Sequence, residues 1–134
     1  MSSRRLGREY VLKALYALEQ GTQTVEEIKA TVIEEGKLDE KTLSFTRHLF
    51  SEVVKNLDII DNRITEVAQN WKLERIAIVD KNILRMAICE IMYLPDIPMK
   101  VAINEAVELA KKYSTFESAS FVNGILDRVF HEQE

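Results

Sequence analysis

Three arginines near the amino terminus are the first residues whose type and spacing could bind a ligand. Arg4, Arg5 and Arg8 lie within the first 16 residues, which carry a net charge of +3. Guanidinium groups pair with phosphates through parallel hydrogen bonds and stack on bases. Such a cluster suits single-stranded RNA better than duplex DNA, because arginine-rich segments often become ordered on unpaired RNA. From these residues alone, a solvated helix start is the commoner outcome.

A second candidate binding feature lies near the carboxyl terminus. Phe121 falls at the margin of an apolar helix face, where a ring can stack on an unpaired base. Asn123 could bond to a base edge or hold the loop before the helix. Tyr113 and Phe116 lie just upstream, so three rings surround one loop. The ordinary alternatives are packing at the core rim for Phe121, core packing for Tyr113 and loop anchoring for Phe116.

Residue patterns typical of enzymes and metal sites are missing from the sequence. His48, His131 and Cys89 do not follow any metal-ligand spacing. The chain has neither a glycine-rich phosphate loop nor a nucleophile elbow. We therefore expect a binding protein without catalytic activity, metal or cofactor. A single cysteine cannot form an internal disulfide, which favours a reducing cytoplasm.

The composition predicts one soluble domain with an uneven charge distribution. The chain has 134 residues, of which 46% are hydrophobic and 30% charged, and its net charge is −4. Because the first 16 residues carry +3, the others carry −7, so one basic end adjoins an acidic body. No segment has the length and apolarity of a membrane span, and the amino terminus lacks the apolar core of a signal peptide.

Hydrophobic periodicity predicts three helical segments in the first half of the chain. Their expected bounds are about 3–20, 24–36 and 39–71. Gly21 ends the first helix, and Thr24 opens a capping box for the second. Asp39 caps the third, and the pattern leaves open whether residues 56–58 interrupt it.

The second half of the chain predicts three further helices. Their expected bounds are about 78–94, 99–113 and 118–131. Pro95 ends the first of them, and Pro98 lies near the start of the next. Residues 72–76 look like a linker. The whole is predicted to be an all-α bundle of six or seven helices in two halves, about 1–71 and 72–134.

Three single residues stand out against their helical surroundings. Tyr16 projects from the charged face of the first helix. Asp80 lies in the first turn of an apolar helix, where a carboxylate stabilises the helix dipole. Arg85 lies among apolar neighbours and needs an internal acidic partner, for which Glu90 and Glu105 are the candidates.

Several stretches of the sequence resemble the NusB family of transcription antitermination factors. They are Ile83–Glu90, Pro95–Tyr113, Phe121–Asp127 and the Ala14-Leu15-Tyr16 motif that follows the arginines. The resemblance implies an all-helical protein that binds the single-stranded boxA RNA element of ribosomal RNA leaders. It also implies ribosomal protein S10 as a partner, and an elongating RNA polymerase complex with other Nus factors in which termination is suppressed.

The resemblance further implies roles for individual residues. Those expected to bind RNA are Arg4, Arg5, Arg8, Glu117, Ser120, Phe121 and Asn123. Those expected near S10 are Tyr16 and Asp80. Ser114 stands where many relatives have glycine, at the loop before the last helix.

Two other functions are consistent with the sequence. One is a helical protein–protein adaptor whose basic end binds an acidic partner. The other is the RNA-positioning domain found fused to RNA cytosine methyltransferases, although we expect no cofactor-binding domain after Glu134. Members of the family occur as monomers and dimers, and a homodimer is one expected state.

Overall fold

The computed structural model describes residues 3–69 and 71–133, and all regular structure in them is helical. Seven α-helices follow one another along the described chain. They are α1 Ser3–Gln20, α2 Val25–Ile28, α3 Glu40–Lys55, α4 Leu57–Val67, α5 Ile78–Tyr93, α6 Met99–Tyr113 and α7 Phe116–Gln133. The all-α prediction and the number of helices are confirmed.

The first helix and the start of the second lie where the sequence predicts. Gly21 ends α1 in a left-handed conformation with φ of +73°, which glycine adopts without steric cost. The capping box at α2 is complete. The Glu27 backbone N–H donates to Thr24 Oγ1 at 3.1 Å, and the Thr24 N–H donates to Glu27 Oε1 at 2.9 Å.

The chain after α2 differs from the regular helix that the sequence predicts. It continues as a π-helical turn, Lys29–Ile33, and a 3₁₀ turn, Glu34–Gly36. Lys37, and not Gly36, adopts the left-handed conformation, with φ of 54°. Position 36 favours glycine for a different reason. A Cβ there would lie only 2.6 Å from Cε1 of Tyr10. Packing against α1 therefore explains this glycine.

Asn56 divides the long third segment into α3 and α4. Its side-chain Nδ2 donates to the Glu52 carbonyl at 2.8 Å, and its backbone leaves the helical region with φ of −110° and ψ of 19°. An asparagine amide that bonds to the preceding turn competes with the helix ladder. The α4 helix ends at Val67, so the prediction that helix continues to Trp71 is wrong.

The centre of the fold is α5, which packs against α1, α3, α4, α6 and α7. Residues 82–90 of this helix are all buried, in agreement with its nearly continuous apolar sequence. One hydrophobic core includes residues from every α-helix. The division into two halves stays a prediction. None of the described helices is both long enough and apolar enough to cross a membrane.

Candidate nucleic-acid interface

The first two arginines of α1 lie at the surface and pair with carboxylates of the second half of the chain. Nε and Nη2 of Arg5 donate to the two carboxylate oxygens of Glu105 on α6, at 3.0 and 2.6 Å. Arg4 Nη2 contacts Asp96 Oδ2 at 3.3 Å. About half of each arginine side chain remains exposed. The Arg5 bond, together with its charge, lowers the pKa of Glu105.

Arg8 is buried, in contrast to Arg4 and Arg5. Its side chain is 3% exposed and donates to both carboxylate oxygens of Glu90, at 3.0 and 2.7 Å. Its Nη1 also reaches Glu105 Oε1 at 3.4 Å, and the Phe45 ring lies 5.3 Å from its guanidinium carbon. Burial raises the pKa of Glu90, and the Arg8 bonds oppose that effect. An RNA contact by Arg8 stays a prediction, and it would require this ion pair to open.

Glu9 links α1 to the carboxyl end of α6. It accepts hydrogen bonds from the Tyr113 hydroxyl and from Lys112 Nζ, the latter at 2.9 Å. Partial burial acts to raise the pKa of Glu9, but the bonds from Tyr113 and Lys112 outweigh it and the pKa is lowered. The Tyr113 side chain is therefore held at the surface by its hydroxyl bond to Glu9. From the sequence, packing in the core was the ordinary alternative for this ring.

Tyr16 lies at the edge of a shallow apolar groove between α1, α5 and α6. The groove has a volume of about 220 Å³ and is lined by Glu9, Leu12, Lys13, Tyr16, Val79 and Tyr113. The Tyr16 side chain is exposed, as its position on the charged face of α1 predicts. We call this surface the Tyr16 groove.

A larger cavity lies between α5, the start of α7 and the segment that joins α4 to α5. Its volume is about 390 Å³, and we call it the aromatic cavity. It is lined by Trp71, Arg75, Ile76, Ala77, Asp80, Thr115, Glu117, Ser118 and Phe121. Trp71 and Phe121 meet edge to face with ring centroids 5.7 Å apart. Trp71 is 52% exposed, whereas Phe121 is partly buried against the core.

Hydroxyl groups at the start of α7 shape one wall of the aromatic cavity. The Ser118 backbone N–H donates to Thr115 Oγ1 at 3.0 Å, which caps the helix and explains why α7 begins at Phe116 instead of Ser118. Ser118 Oγ donates to Asp80 Oδ2 at 2.8 Å. Ser114 has φ of −131°, so no glycine is required at that position.

The structure separates the two candidate RNA-binding features. Arg5 and Arg8 contact Glu105 in the middle of α6, whereas Phe121 contacts Trp71. The residues between the two features belong mainly to the Glu9 contacts and the Ser118–Asp80 pair. The arginines and Phe121 therefore belong to two different groups of side-chain contacts.

The remaining predicted RNA-binding residues differ in their surroundings. Glu117 and Ser120 are exposed near the start of α7, and Glu117 lines the aromatic cavity. Asn123 instead lines a different cavity, between α6 and α7, which it shares with Lys100 and Asn104. Phe116 is exposed and therefore does not anchor its loop by burial.

Sequence analysis missed Trp71 as a candidate functional residue. It was assigned to the end of a helix, but it lies beyond α4 and pairs with Phe121. The sequence did hold a signal for Trp71, namely a tryptophan with polar neighbours on both sides. Such a ring is rarely buried completely, so it is a candidate for contact with a ligand.

Arg85 has acidic partners other than those expected. Its Nε and Nη2 donate to Asp61 of α4 at 2.8 and 2.9 Å, and its Nη1 contacts Glu19 of α1. The prediction of Glu90 or Glu105 is wrong, because those carboxylates are paired with Arg8 and Arg5. The α5 arginine therefore ties together helices α1, α4 and α5.

Metal binding receives no support from the described part of the chain. No group of three or more histidine, cysteine or carboxylate side chains there could hold an ion. Burial raises the pKa of Cys89 to about 12, so this thiol is unsuited to act as a nucleophile or a ligand.

The comparisons with known proteins agree on one family. The family model described as the NusB family matches residues 5–131. A transcription antitermination protein NusB of Chloroherpeton thalassium is 45% identical over 131 residues, which cover 97% of this chain and 62% of that protein. The one of Thermodesulfovibrio yellowstonii is 46% identical over 142 residues, which cover 97% of this chain and 93% of that protein. The chain thus spans less than two thirds of the first relative and nearly all of the second.

Solved structures share the fold. NusB of T. maritima has a TM-score of 0.88 and 38% identity, and the match covers 96% of this chain and 91% of that one. A crystal structure of antitermination factors NusB and NusE in complex with dsRNA has a TM-score of 0.88 over 98% of both chains, and at 23% identity it supports the fold alone. The family model, the near-full-length relatives and the common helical fold together establish that this chain belongs to the NusB family.

Proposed function

We propose that this protein is an RNA-binding adaptor in transcription antitermination. It binds boxA-type single-stranded RNA together with ribosomal protein S10 and joins the elongating RNA polymerase with other Nus factors in the cytoplasm, notably on ribosomal RNA transcripts. The names of its relatives support this role. A related NusB has been crystallised with NusE, which is S10, and RNA.

The observation that carries the proposal is the exposed ring of Trp71 beside Phe121, over an open cavity of about 390 Å³. The half-exposed Trp71 ring offers a stacking surface for an unpaired base. Stacking of a base on an aromatic ring contributes about 1–3 kcal/mol per base. Arg4 and Arg5 supply surface cations for phosphates at the other end of the interface. Bases in a duplex are already stacked and paired, so this arrangement favours single-stranded RNA even though the related complex contains dsRNA.

The Tyr16 groove is the proposed contact for S10. Its lining is mostly apolar, it is open, and the exposed Tyr16 ring lies at its edge with a hydroxyl available to a partner. Val79 lines this groove while its neighbour Asp80 lines the aromatic cavity. The RNA and S10 surfaces therefore adjoin on α5, which explains how one partner could strengthen binding of the other.

Fluorescence anisotropy with a labelled boxA RNA tests the proposal. We expect single-stranded boxA RNA to bind more tightly than a scrambled strand or a duplex, and more tightly still when S10 is present. Affinity should fall steeply as salt rises, because phosphate contacts release counterions. Binding of S10 without any RNA binding would favour the protein–protein adaptor instead, and binding of neither would contradict both functions.

A further inference from the structure

Four side chains of alternating charge lead from the buried part of α5 to the surface of α1. Arg8 binds Glu90 of α5 through Nε and Nη2, and its Nη1 lies 3.4 Å from Oε1 of Glu105 on α6. Glu105 in turn accepts hydrogen bonds from Nε and Nη2 of Arg5, at 3.0 and 2.6 Å. From Glu90 through Arg8 and Glu105 to Arg5, the exposed fraction of the side chain rises from 1% and 3% to 12% and 48%.

Glu105 occupies one edge of the Arg5 guanidinium and leaves another edge free. A guanidinium has five N–H groups, and the bonds to Glu105 use one on Nε and one on Nη2. The other three, two on Nη1 and one on Nη2, lie at the end of the side chain. They form a second fork, of the kind that pairs with a phosphate, and we call it the outer fork of Arg5. Because Arg5 is half exposed and Glu105 is mostly buried, the carboxylate holds the inner edge and the outer fork stays available to a ligand.

We propose that Glu105 is a positioning residue for RNA binding, which aims the outer fork of Arg5 at a phosphate of the strand. This inference rests on the proposed function and adds a residue that is not itself expected to contact RNA. Arginine side chains have large rotamer freedom, and a ligand that must order one loses part of its binding free energy. Since buried Arg8 contacts Glu105, the direction of Arg5 is set when the protein folds, before RNA arrives.

The opposite role for Glu105 would be to mask Arg5 by competing with the phosphate. A masking carboxylate has to leave when the ligand binds, but Glu105 is only 12% exposed and lies against the guanidinium of Arg8. Its departure would leave a buried donor of Arg8 without an acceptor, which costs free energy. The two roles also predict opposite signs. Removal of the Glu105 charge raises RNA affinity if Glu105 masks Arg5, and lowers it if Glu105 positions Arg5.

A pair of matched variants tests the sign. We would measure binding of a labelled boxA RNA by anisotropy for the unmodified protein, Glu105→Gln and Glu108→Gln. Both variants remove one negative charge, one turn apart on α6, but Glu108 is exposed and pairs with Lys111 instead of an arginine. Removal of a negative charge by itself favours binding of a polyanion. We therefore expect Glu108→Gln to bind at least as tightly as the unmodified protein, whereas Glu105→Gln should bind about three- to tenfold more weakly.

A double-variant cycle shows whether Glu105 acts through Arg5. In an Arg5→Ala background, Glu105→Gln should change RNA affinity by no more than about twofold, because the group that it positions is gone. A general loss of structure would instead weaken binding in both backgrounds, and circular dichroism checks that each variant folds. Nuclear magnetic resonance of the Arg5 Nε–H group in the unmodified protein adds a measurement without RNA, in which we expect an ordered group that exchanges slowly with water. Should Glu105→Gln fail to fold, this measurement decides alone.

The outcomes separate this inference from the proposed function. If the unmodified protein binds RNA and Glu105→Gln binds as tightly as Glu108→Gln, or more tightly, the positioning role is overturned and the RNA-binding function stands. Equal losses with and without Arg5 overturn the role in the same way, as does a disordered Arg5 Nε–H group. An unmodified protein that binds no RNA overturns the proposed function, and the positioning role with it.

Discussion

Three arginines of similar sequence context have different roles in the folded protein. Arg4 and Arg5 remain half exposed and pair with Asp96 and Glu105, whereas Arg8 is buried against Glu90. Arg8 lies one turn after Arg4 on the same face of α1, and it meets Glu90 within α5, whereas Arg4 meets Asp96 in the loop after α5. Residues one turn apart on a helix can thus differ between an exposed and a buried ion pair.

Removal of Arg8 should reduce stability more than removal of Arg5. Arg8→Ala leaves Glu90, which is 1% exposed, without its bidentate partner. We expect a loss of about 3–5 kcal/mol in the free energy of unfolding, measured by urea titration. The double variant Arg8→Met with Glu90→Leu should recover most of that loss, because it removes both charges together. Equal stability of Arg8→Ala and the unmodified protein would contradict the buried ion pair.

Removal of Arg5 should instead affect RNA binding. Arg5→Ala is expected to weaken different single-stranded RNAs to a similar degree and to reduce the slope of log affinity against log salt by about 0.7. Arg75→Ala serves as a comparison at the other end of the interface. An unchanged salt slope for Arg5→Ala, measured by anisotropy, would show that this guanidinium does not contact a phosphate.

Helix termini account for much of the fold at the level of single elements. Thr24, Asp39 and Thr115 each accept a hydrogen bond from a backbone N–H three residues later, at 3.1, 2.9 and 3.0 Å. Each such cap contributes about 1 kcal/mol and sets the residue at which its helix begins. The aromatic cavity depends on the third of these caps, because Thr115 and Ser118 both line it.

Two glycine substitutions should change stability in opposite directions. Gly21→Ala forces a side chain into a conformation with φ of +73° and should destabilise the protein by about 1 kcal/mol. Gly124→Ala lies inside α7, where an added Cβ meets nothing within 4 Å, and should stabilise by about 0.5–1 kcal/mol. Thermal unfolding measures both. Shifts of the same sign would mean that one of these backbone conformations is misassigned.

Ion pairs join α1 to α5 and to α6. Hydrogen bonds and cationic neighbours lower the pKa of Glu9, Glu19 and Glu105, although partial burial opposes the effect in each. A carboxyl with a lowered pKa contributes stability above its unfolded value of 4.5, and that contribution disappears as the pH falls through the folded value. Glu90 acts in the opposite direction, since burial raises its pKa.

The melting temperature should therefore fall as the pH is lowered from 4.5 towards about 3. The carboxyls with lowered pKa values, which also include Glu34 and Asp39, outweigh Glu90, whose pKa is raised. Below pH 4.5 the unfolded chain therefore binds more protons than the folded protein. Circular dichroism melts across this range measure the effect, and recovery at neutral pH shows that it is reversible. A melting temperature that stays constant or rises in this window would contradict the assignment.

The family and the helical class were predictable from the sequence because they depend on local features. Periodic apolar residues, Gly21, Pro95 and the capping residues act within one or two turns of chain, and the structure confirms them. The motif Phe121–Asp127 is likewise contiguous, so it identified the family without any knowledge of packing.

The tertiary structure was required to identify contacts between residues that lie far apart in the sequence. Arg85 bonds to Asp61 and Glu19 rather than to the acids expected, and Trp71 meets Phe121 across 50 residues of sequence. Nothing in the local sequence specifies which of many carboxylates or rings will be adjacent, because adjacency depends on how α5 is enclosed by its neighbours. The aromatic cavity forms only when α5 is enclosed in this way, whereas the individual helices that line the cavity are predictable from the local sequence.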